Sequence, residues 1–347
     1  MSGSGHSGYK GILLEQNKEP LLSKGIKQLE KLPVQEQHYL DSRVDPANMT
    51  PESLVIAARQ AQIVDESDGT QLWKKLEQAL EDSRRAIVVD ALDDEPYISS
   101  QLCVALWMPG ELEEAIDLLR RQLRIDRAVV EIYRNLTDIF TPIPKRIGEY
   151  RVRRVGGTYP AEKRIRRGES RLFKVGACAL IHLYRAVFQK RVQTTSFVSV
   201  AGDCIANPAN YEVPLNATVG QVLNAAGLLA QPKRIVVGGS MTGTGIGDPE
   251  AVRVLSATRG ILAFAEQFED FGFSCIGCGR CVDVCPQGLS PYFIYKFLRA
   301  HQQNIAAHAA QGCTCCGACS YICPAKLDLS HRIYLAASAG RRQKEKS

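Results

Sequence analysis

The chain has 347 residues, 45% of them apolar and 23% charged, with a net charge of +6. That is enough chain for two or three folded domains, and the balance excludes a disordered or low-complexity protein. No apolar run approaches the ~18 residues that cross a bilayer, and no stretch interleaves aromatics with Lys and Arg as a nucleic-acid platform requires, so neither a transmembrane segment nor a nucleic-acid partner is expected.

Residues 1–50 are polar and weakly patterned, and MSGSGHSGYKGILLEQNKEP lacks an apolar signal core, which points to a cytoplasmic location. Thr50, Pro51 and Glu52 predict a helix start, with SLVIAARQAQIV as the helix. A second helix is expected in GTQLWKKLEQALEDS, its apolar residues at Leu72, Trp73, Leu76 and Leu80. Ala86–Val89 reads as a short buried strand that runs into the loop DDEPYISS. MPGELEEAIDLLRRQLRI reads as an amphipathic helix and RAVVEIYR as the next strand. This alternation implies a parallel α/β layer. The basic stretch from Thr141 to Gly168 reads as a connection.

Beyond it, GACALIHLYRAVFQ predicts a helix and TTSFVSVAGDC a strand with Phe197, Val198 and Val200 alternating. YEVPLNATVGQVLNAAGLL reads as strand, turn and helix, and KRIVVGGSMTGTGIGD as a strand with a glycine-rich loop. Together they have the rhythm of a small α+β module. From about Thr258 the chain is expected to be mostly helical. Much of the positive charge lies in Pro144–Arg171 and in the tail from Gly340. Such stretches are ordinarily solvated surface; they would also suit an acidic partner such as a small ferredoxin or flavodoxin.

Twelve cysteines stand out, because disulfides are rare in the cytosol. Cys103, Cys178 and Cys204 lie beside apolar or small residues and read as buried small hydrophobes. The other nine fall in two runs, CIGCGRCVDVCP from Cys275 and CTCCGACSYICP from Cys313. Each has the C-x-x-C-x-x-C-x-x-x-C-P spacing of two-cluster bacterial ferredoxins. Three thiolates two residues apart wrap one face of a cubane, while the fourth lies too far along the chain to close the same cube. The spacing therefore assigns Cys275, Cys278, Cys281 and Cys323 to one [4Fe-4S] cluster, and Cys313, Cys316, Cys319 and Cys285 to the other. Gly277, Gly279 and Gly317 permit close approach of backbone to inorganic sulfur. Structural zinc is the alternative, but it uses paired C-x-x-C knuckles rather than triplets followed by Cys-Pro. Cys315 is extra: a bystander thiol, or an alternative ligand or redox-sensitive group. The linker QGLSPYFIYKFLRAHQQNIAAHAAQG is long and helical in pattern, which suggests an α-helical dicluster arrangement; its His301 and His308 are not needed as ligands.

The segments TYP, LIHLYRAVFQ, VSVAGDCIANPANYEVPLNATVGQVLNAAG, RIVVGGSMTGTGI and RGILAF, with both cysteine runs, resemble RnfC, the peripheral subunit of the Rnf ferredoxin:NAD⁺ oxidoreductase. Relatives of that family include the cobalamin reductase of propanediol microcompartments and the electron-transfer protein associated with proline reductase. The resemblance implies an α/β plus α+β fold in three parts: an α/β domain like the flavin subunit of complex I, a β-grasp (SLBB-like) module that includes Ala201–Leu229, and a C-terminal α-helical dicluster ferredoxin domain. The boundaries expected are 1–50 for the polar segment, 51–170 for the flavin-type domain, 171–255 for the β-grasp module, 256–335 for the dicluster domain and 336–347 for a basic tail.

The departure from the family lies upstream. Where RnfC proteins carry a glycine-rich GLGGAGFPT loop against FMN, this chain has IVDESDGTQLWKK, Ile63–Lys75, with Asp65, Glu66 and Asp68 and the single glycine Gly69. The family's NGxECEPYLT is matched by DALDDEPYISS only at Glu95, Pro96 and Tyr97, which then read as a structural loop. FMN is therefore not expected. The loop Val236–Gly247 matches a GGPMMG-like segment that packs, in the family, between the β-grasp module and the clusters. The function expected is single-electron relay between a low-potential, ferredoxin-like donor and a partner reductase. An FMN-containing RnfC-type oxidoreductase and an assembly subunit with structural clusters are the alternatives. Redox proteins are the expected partners, with peripheral attachment to the inner face of a membrane complex compatible with the chain.

Overall fold

The computed structural model describes residues 21–39, 41, 43–82, 84–133, 143–156, 159–161, 171–266 and 274–344. Residues 1–20, and residues 162–170 of the basic stretch, lie outside them. The chain divides into two units, residues 1–156 with 168–266, and 157–167 with 267–347.

In the first unit, β1 (Ile26–Gln28) is followed by α1 (Pro51–Gln60). Thr50 caps α1 as its sequence predicts: Thr50 Oγ1 accepts from the Ser53 amide at 3.1 Å, and Ser53 Oγ accepts from the Thr50 amide at 2.8 Å. A short hairpin, β2 (Val64–Asp65) and β3 (Thr70–Gln71), leads into α2 (Leu72–Glu81) and β4 (Ala86–Ala91). Next come α3 (Ser100–Trp107), α4 (Pro109–Leu123) and β5 (Ala128–Tyr133). Then β6 (Arg146–Ile147), β7 (Tyr150–Val155), β8 (Leu172–Gly176) and α5 (Ala177–Gln189) complete the layer. The sheet order is β6-β7-β5-β4-β8, parallel except for the β6–β7 edge. Ile87, Val88 and Val89 of β4 are buried, the near-continuous apolar run that a parallel strand covered on both faces requires.

Two expectations are corrected here. The stretch read as a connection contains β6 and β7. In β7 the inward Tyr150 and Val152 alternate with Arg151 and Arg153, and the arginines masked a strand whose outer face is charged. Arg153 is ion-paired with Glu131 of β5. The boundary placed at 170 also falls inside this layer, because β8 inserts in parallel beside β4 and α5 packs on the same sheet. A crossover that returns to the middle of a sheet leaves no local mark in the sequence.

The second sheet holds β9 (Thr195–Ala201), β10 (Ala209–Pro214), β11 (Arg234–Val237), β12 (Thr244–Ile246) and β13 (Gly260–Phe264), with α6 (Val219–Ala226) across it. The order is β1-β10-β9-β13-β11-β12. Its core joins Val198, Val200, Tyr211 and Val213 to Val219, Val222 and Leu223 of α6. Every residue of β9 is buried, so the strand has a second covered face. There Phe197 meets His182 of α5, ring centroids 5.2 Å apart, and Ser199 Oγ accepts from the Ser99 amide at 3.0 Å. The residue-255 boundary is thus also too early, since β13 lies between β9 and β11. Nor is the N-terminal segment merely polar: β1 extends this sheet, and Leu21 and Leu29 are buried.

A buried ion pair ties the helix on the first sheet to the second sheet. Arg185 of α5 reaches Glu212 of β10 at 2.5 and 3.2 Å, and Glu212 also accepts from Thr195 Oγ1 at 2.8 Å and from Gln28 Nε2 at 3.0 Å.

The second unit is built on a repeat. Cys275 and Cys313 begin loops that end in the short helices α7 (Arg280–Asp283) and α10 (Ala318–Ile322). Between them lie α8 (Pro291–Arg299) and α9 (Gln303–Ala309), and α11 (Leu329–Lys344) closes the unit. The helical linker is thus two helices, broken at His301, which takes a φ of +57°. Backbone turns repeat position for position: Gly277 with Cys315, Gly279 with Gly317 and Gly288 with Lys326 all have positive φ. Ile294, Ala306, Ala310, Leu329, Ile333 and Ala337 form the core.

Removing one partner of a buried, hydrogen-bonded ion pair costs about 3–5 kcal/mol. Glu212→Ala should destabilise the first unit by about that much. Both tryptophans, Trp73 and Trp107, lie in this unit, so unfolding can be followed by their fluorescence. Although burial opposes it, the Arg185 guanidinium holds the Glu212 carboxyl below its ordinary range. Its contribution is then present above the unfolded value of 4.5 and is lost as pH falls. The gap between wild type and variant should narrow on acidification.

Candidate metal centres

The two cysteine runs fold into two small cavities. The first is lined by Cys275, Cys278, Cys281 and Cys323, with Ile276, Tyr292, Tyr295 and Leu329 among the apolar walls. The second is lined by Cys285, Cys313, Cys316 and Cys319, with Cys315, Leu289 and Ile333 beside them. The last cysteine of each run therefore stands in the wall of the other run's cavity. Electrostatics group them the same way. Burial, and then the nearby sulfurs of Cys275, Cys278 and Cys323, raise the Cys281 thiol. Burial, with Cys316, Cys313 and Cys285, pushes Cys319 up to about 12. Sulfurs gathered this closely are the setting of a metal-thiolate site, where a cation balances the thiolates.

The loops suit an iron–sulfur cubane. Gly279 and Gly317 stand immediately before α7 and α10, with φ of +74° and +78°. Side chains rarely adopt that conformation. The cavities are walled by apolar and aromatic groups. Among the described residues, no three His, Cys, Asp or Glu side chains converge as ligands of a single ion would. A cubane instead asks for sulfurs spread around its corners.

The two sites differ in exposure. In the first, Cys275 and Cys278 are exposed, Cys281 and Cys323 are buried, and Ile276 is 70% exposed; in the second, Cys316 is buried and Cys285, Cys313 and Cys319 are partly covered. Cys315 lies in the second cavity's wall, at a φ of +53° where the first run has Gly277. Tyr159, of the TYP segment, donates from its hydroxyl to the Cys316 carbonyl at 2.5 Å. Sequence reasoning missed this contact; the signal was the TYP itself, far from the runs in sequence. His301 and His308 are exposed and line neither cavity. Cys103, Cys178 and Cys204 are fully buried, and burial raises all three thiols, Cys103 to about 12.

In the first unit, the hairpin Val64–Gln71 stands where the family's glycine-rich loop was expected. Asp65 is fully buried. Its carboxylate accepts from Lys75 Nζ at 2.6 Å, Ser67 Oγ at 2.7 Å and the Gly176 amide at 3.1 Å. Gly176 caps the N-terminus of α5, so a side-chain carboxylate occupies the end of that helix that favours an anion. A Cβ on Gly176 would lie 2.7 Å from Asp65 Oδ1.

Further carboxylates surround it. Asp90 pairs with Lys174 at 2.8 Å, and Asp93 with Arg259 at 2.8 Å while accepting from the Leu102 amide at 2.9 Å. Glu66 and His182 face each other at 3.6 Å. Burial and Asp65 push Glu66 well up, and burial and Arg185 push His182 down to about 3, so the imidazole is uncharged near neutrality. Glu95 accepts from the amides of Met241 and Thr242 at 3.1 and 3.3 Å and from Thr242 Oγ1 at 2.6 Å. A Cβ on Gly239 would fall 1.6 Å from Glu95 Oε2. The EPY loop thus grips the glycine-rich loop between β11 and β12, as a structural role for both requires.

Comparison with known proteins agrees with this architecture. The 4Fe-4S dicluster domain family matches residues 274–327, and the SLBB domain family matches residues 197–245. RnfC of the ion-translocating oxidoreductase complex of Rhodobacter capsulatus is 28% identical over 76% of this chain and 55% of its own length. The RnfC of Yersinia pestis is 26% identical over 63% of this chain and 39% of its own, and that of Vibrio cholerae 24% identical over 78% and 38%. The chain spans about half, or less, of the length of the curated relatives it matches. A chain in the crystal structure of an NAD⁺-reducing [NiFe]-hydrogenase in the air-oxidized state has the same fold, with a TM-score of 0.57 at 14% identity over 86% of this chain and 63% of that chain. Among the described residues no helix is long and apolar enough to cross a membrane. The chain carries an SLBB domain and a C-terminal 4Fe-4S dicluster domain, and is similar to the RnfC subunits of ion-translocating oxidoreductase complexes.

Proposed function

We propose that the chain relays single electrons through two [4Fe-4S] clusters, between a low-potential donor protein and a partner reductase, with no flavin of its own. The observation that carries the ligand assignment is the lining of the two cavities: Cys275, Cys278, Cys281 and Cys323 in one, Cys313, Cys316, Cys319 and Cys285 in the other. A bound cubane supplies reversible one-electron storage without bond making. The chain's own task is to hold four thiolates, keep apolar walls around them and set how far each site lies from solvent. Greater exposure tunes the first-run site differently from the second.

Support for the absence of flavin comes from the hairpin. A flavin phosphate at the α5 N-terminus would have to displace Asp65, which already takes the Gly176 amide and Lys75. It would also bring charge beside the buried Asp90, Asp93 and Asp94. These residues do not fit FMN. Redox proteins are the partners this reading calls for, with any attachment to a membrane complex peripheral.

Two measurements test the reading. Cys285→Ala should lose the cluster of the second run and roughly half of the iron, while the first-run cluster keeps its EPR signal. Loss of the first-run signal alone would overturn the crossed ligation. Anaerobically purified protein should show iron–sulfur absorption without flavin bands, and added FMN should keep its free fluorescence. Stoichiometric flavin would sink the flavin-free relay.

A further inference from the structure

The first-run site opens onto a surface that the relay itself does not explain. Ile276, between two of the cysteines, is 70% exposed, and Phe293 on α8 is 53% exposed. Tyr292, which lines the first cavity, joins them: its ring lies 5.0 Å from that of Phe293, and its hydroxyl is 3.7 Å from where a Gly277 Cβ would stand. Lys296, one turn along α8, places its ammonium over the Tyr292 ring at 4.7 Å and lies within electrostatic reach of Cys275. Arg280 and Arg299 are exposed on the adjoining turns. An apolar centre at a metal site, ringed by cations, is the usual anatomy of a transient docking face.

The charge of the chain sharpens the choice of partner. From residue 274 to the end, Lys and Arg outnumber Asp and Glu nine to three, which equals the whole +6 excess of the protein. Among residues 274–344 the only carboxylates are Asp283 and Asp328. Opposite fields raise encounter rates by 10- to 1,000-fold and suit complexes that must also part quickly.

We propose that the face formed by Ile276, Tyr292, Phe293, Lys296 and Arg299 is the docking site for a small acidic one-electron carrier protein, which exchanges its electron with the first-run cluster. The step is balanced without chemistry: one electron leaves the reduced carrier and reduces the cluster by one, and no bond or proton moves. This rests on the relay reading above, whose failure has a different signature.

The test uses the holoprotein with both clusters loaded and a reduced acidic 2[4Fe-4S] ferredoxin as probe, followed by stopped flow. Lys296→Glu and Arg299→Glu should each lower the second-order rate by roughly tenfold at low ionic strength. The difference should vanish near ~0.5 M salt, where the Debye length falls to a few ångströms. Phe293→Ala should slow the reaction at every salt concentration. All three should keep both EPR signals and normal photoreduction by deazaflavin, which separates docking from cluster loss. Arg332→Glu, on α11 beside the second cavity, should change the rate less than twofold. Rates within twofold of wild type for all three patch variants, or an equal loss in Arg332→Glu, would overturn the face. So would Lys296-dependent binding to phosphatidylglycerol vesicles combined with an unaltered ferredoxin rate, which would assign the patch to a membrane. If wild type accepts no electron from any low-potential donor, the relay reading fails instead.

Discussion

The exchange of cysteines between the two runs dictates the geometry of the C-terminal unit. For Cys323 to stand in the first cavity and Cys285 in the second, the two loops must face each other across a short distance. A helix after each run has to carry the chain away. The repeat of left-handed residues meets that demand. Gly279 and Gly317 start the short helices, while Gly288 and Lys326 redirect the chain before α8 and α11. The core of Ile294, Ala306, Leu329, Ile333 and Ala337 then packs those helices together and so fixes the loops they carry. Each cavity thus takes its fourth cysteine from the other loop.

The first unit follows another constraint, the neutralisation of buried carboxylates. Asp65, Asp90 and Asp93 are each buried, and each has a cation: Lys75, Lys174 and Arg259. Pairs of this kind contribute little net stability over apolar packing, yet losing one partner is costly. They therefore hold a particular arrangement of hairpin, strand end and helix N-terminus. Beside them lie Glu66 and His182, where burial pushes the carboxyl up and the imidazole down and so disfavours both charged forms.

Legibility in the sequence tracked how local each feature is. The grouping of cysteines around the two cavities follows the spacing, because three thiols of each cavity lie on one loop and the fourth comes from the other. Thr50 announces its helix through its cap, since a cap is a contact three residues long. The hairpin of β6 and β7 was hidden because arginines fill its outward positions. β8, β13 and β1 were misplaced because their neighbours lie far away in sequence: β1 pairs with residues 210–212 and β8 with 86–90. The acidic hairpin was legible as hostile to phosphate. Its positive role was not, because the Gly176 amide that Asp65 binds is 111 residues downstream.

That last point bears on how the strand-end crevice is filled. Taking a ligand from a strand-end crevice would leave helix-terminal amides unpaired, and a buried unsatisfied donor costs about 1–3 kcal/mol. Here the chain supplies its own anion. Asp65 reaches the α5 terminus, Ser67 and Lys75 complete its hydrogen bonds, and Glu95 locks the glycine-rich loop of the second sheet. With those groups satisfied from within, the sheets need no ligand to stay in register. The α/β layer is held by its own side chains, and both cysteine runs lie in the other unit.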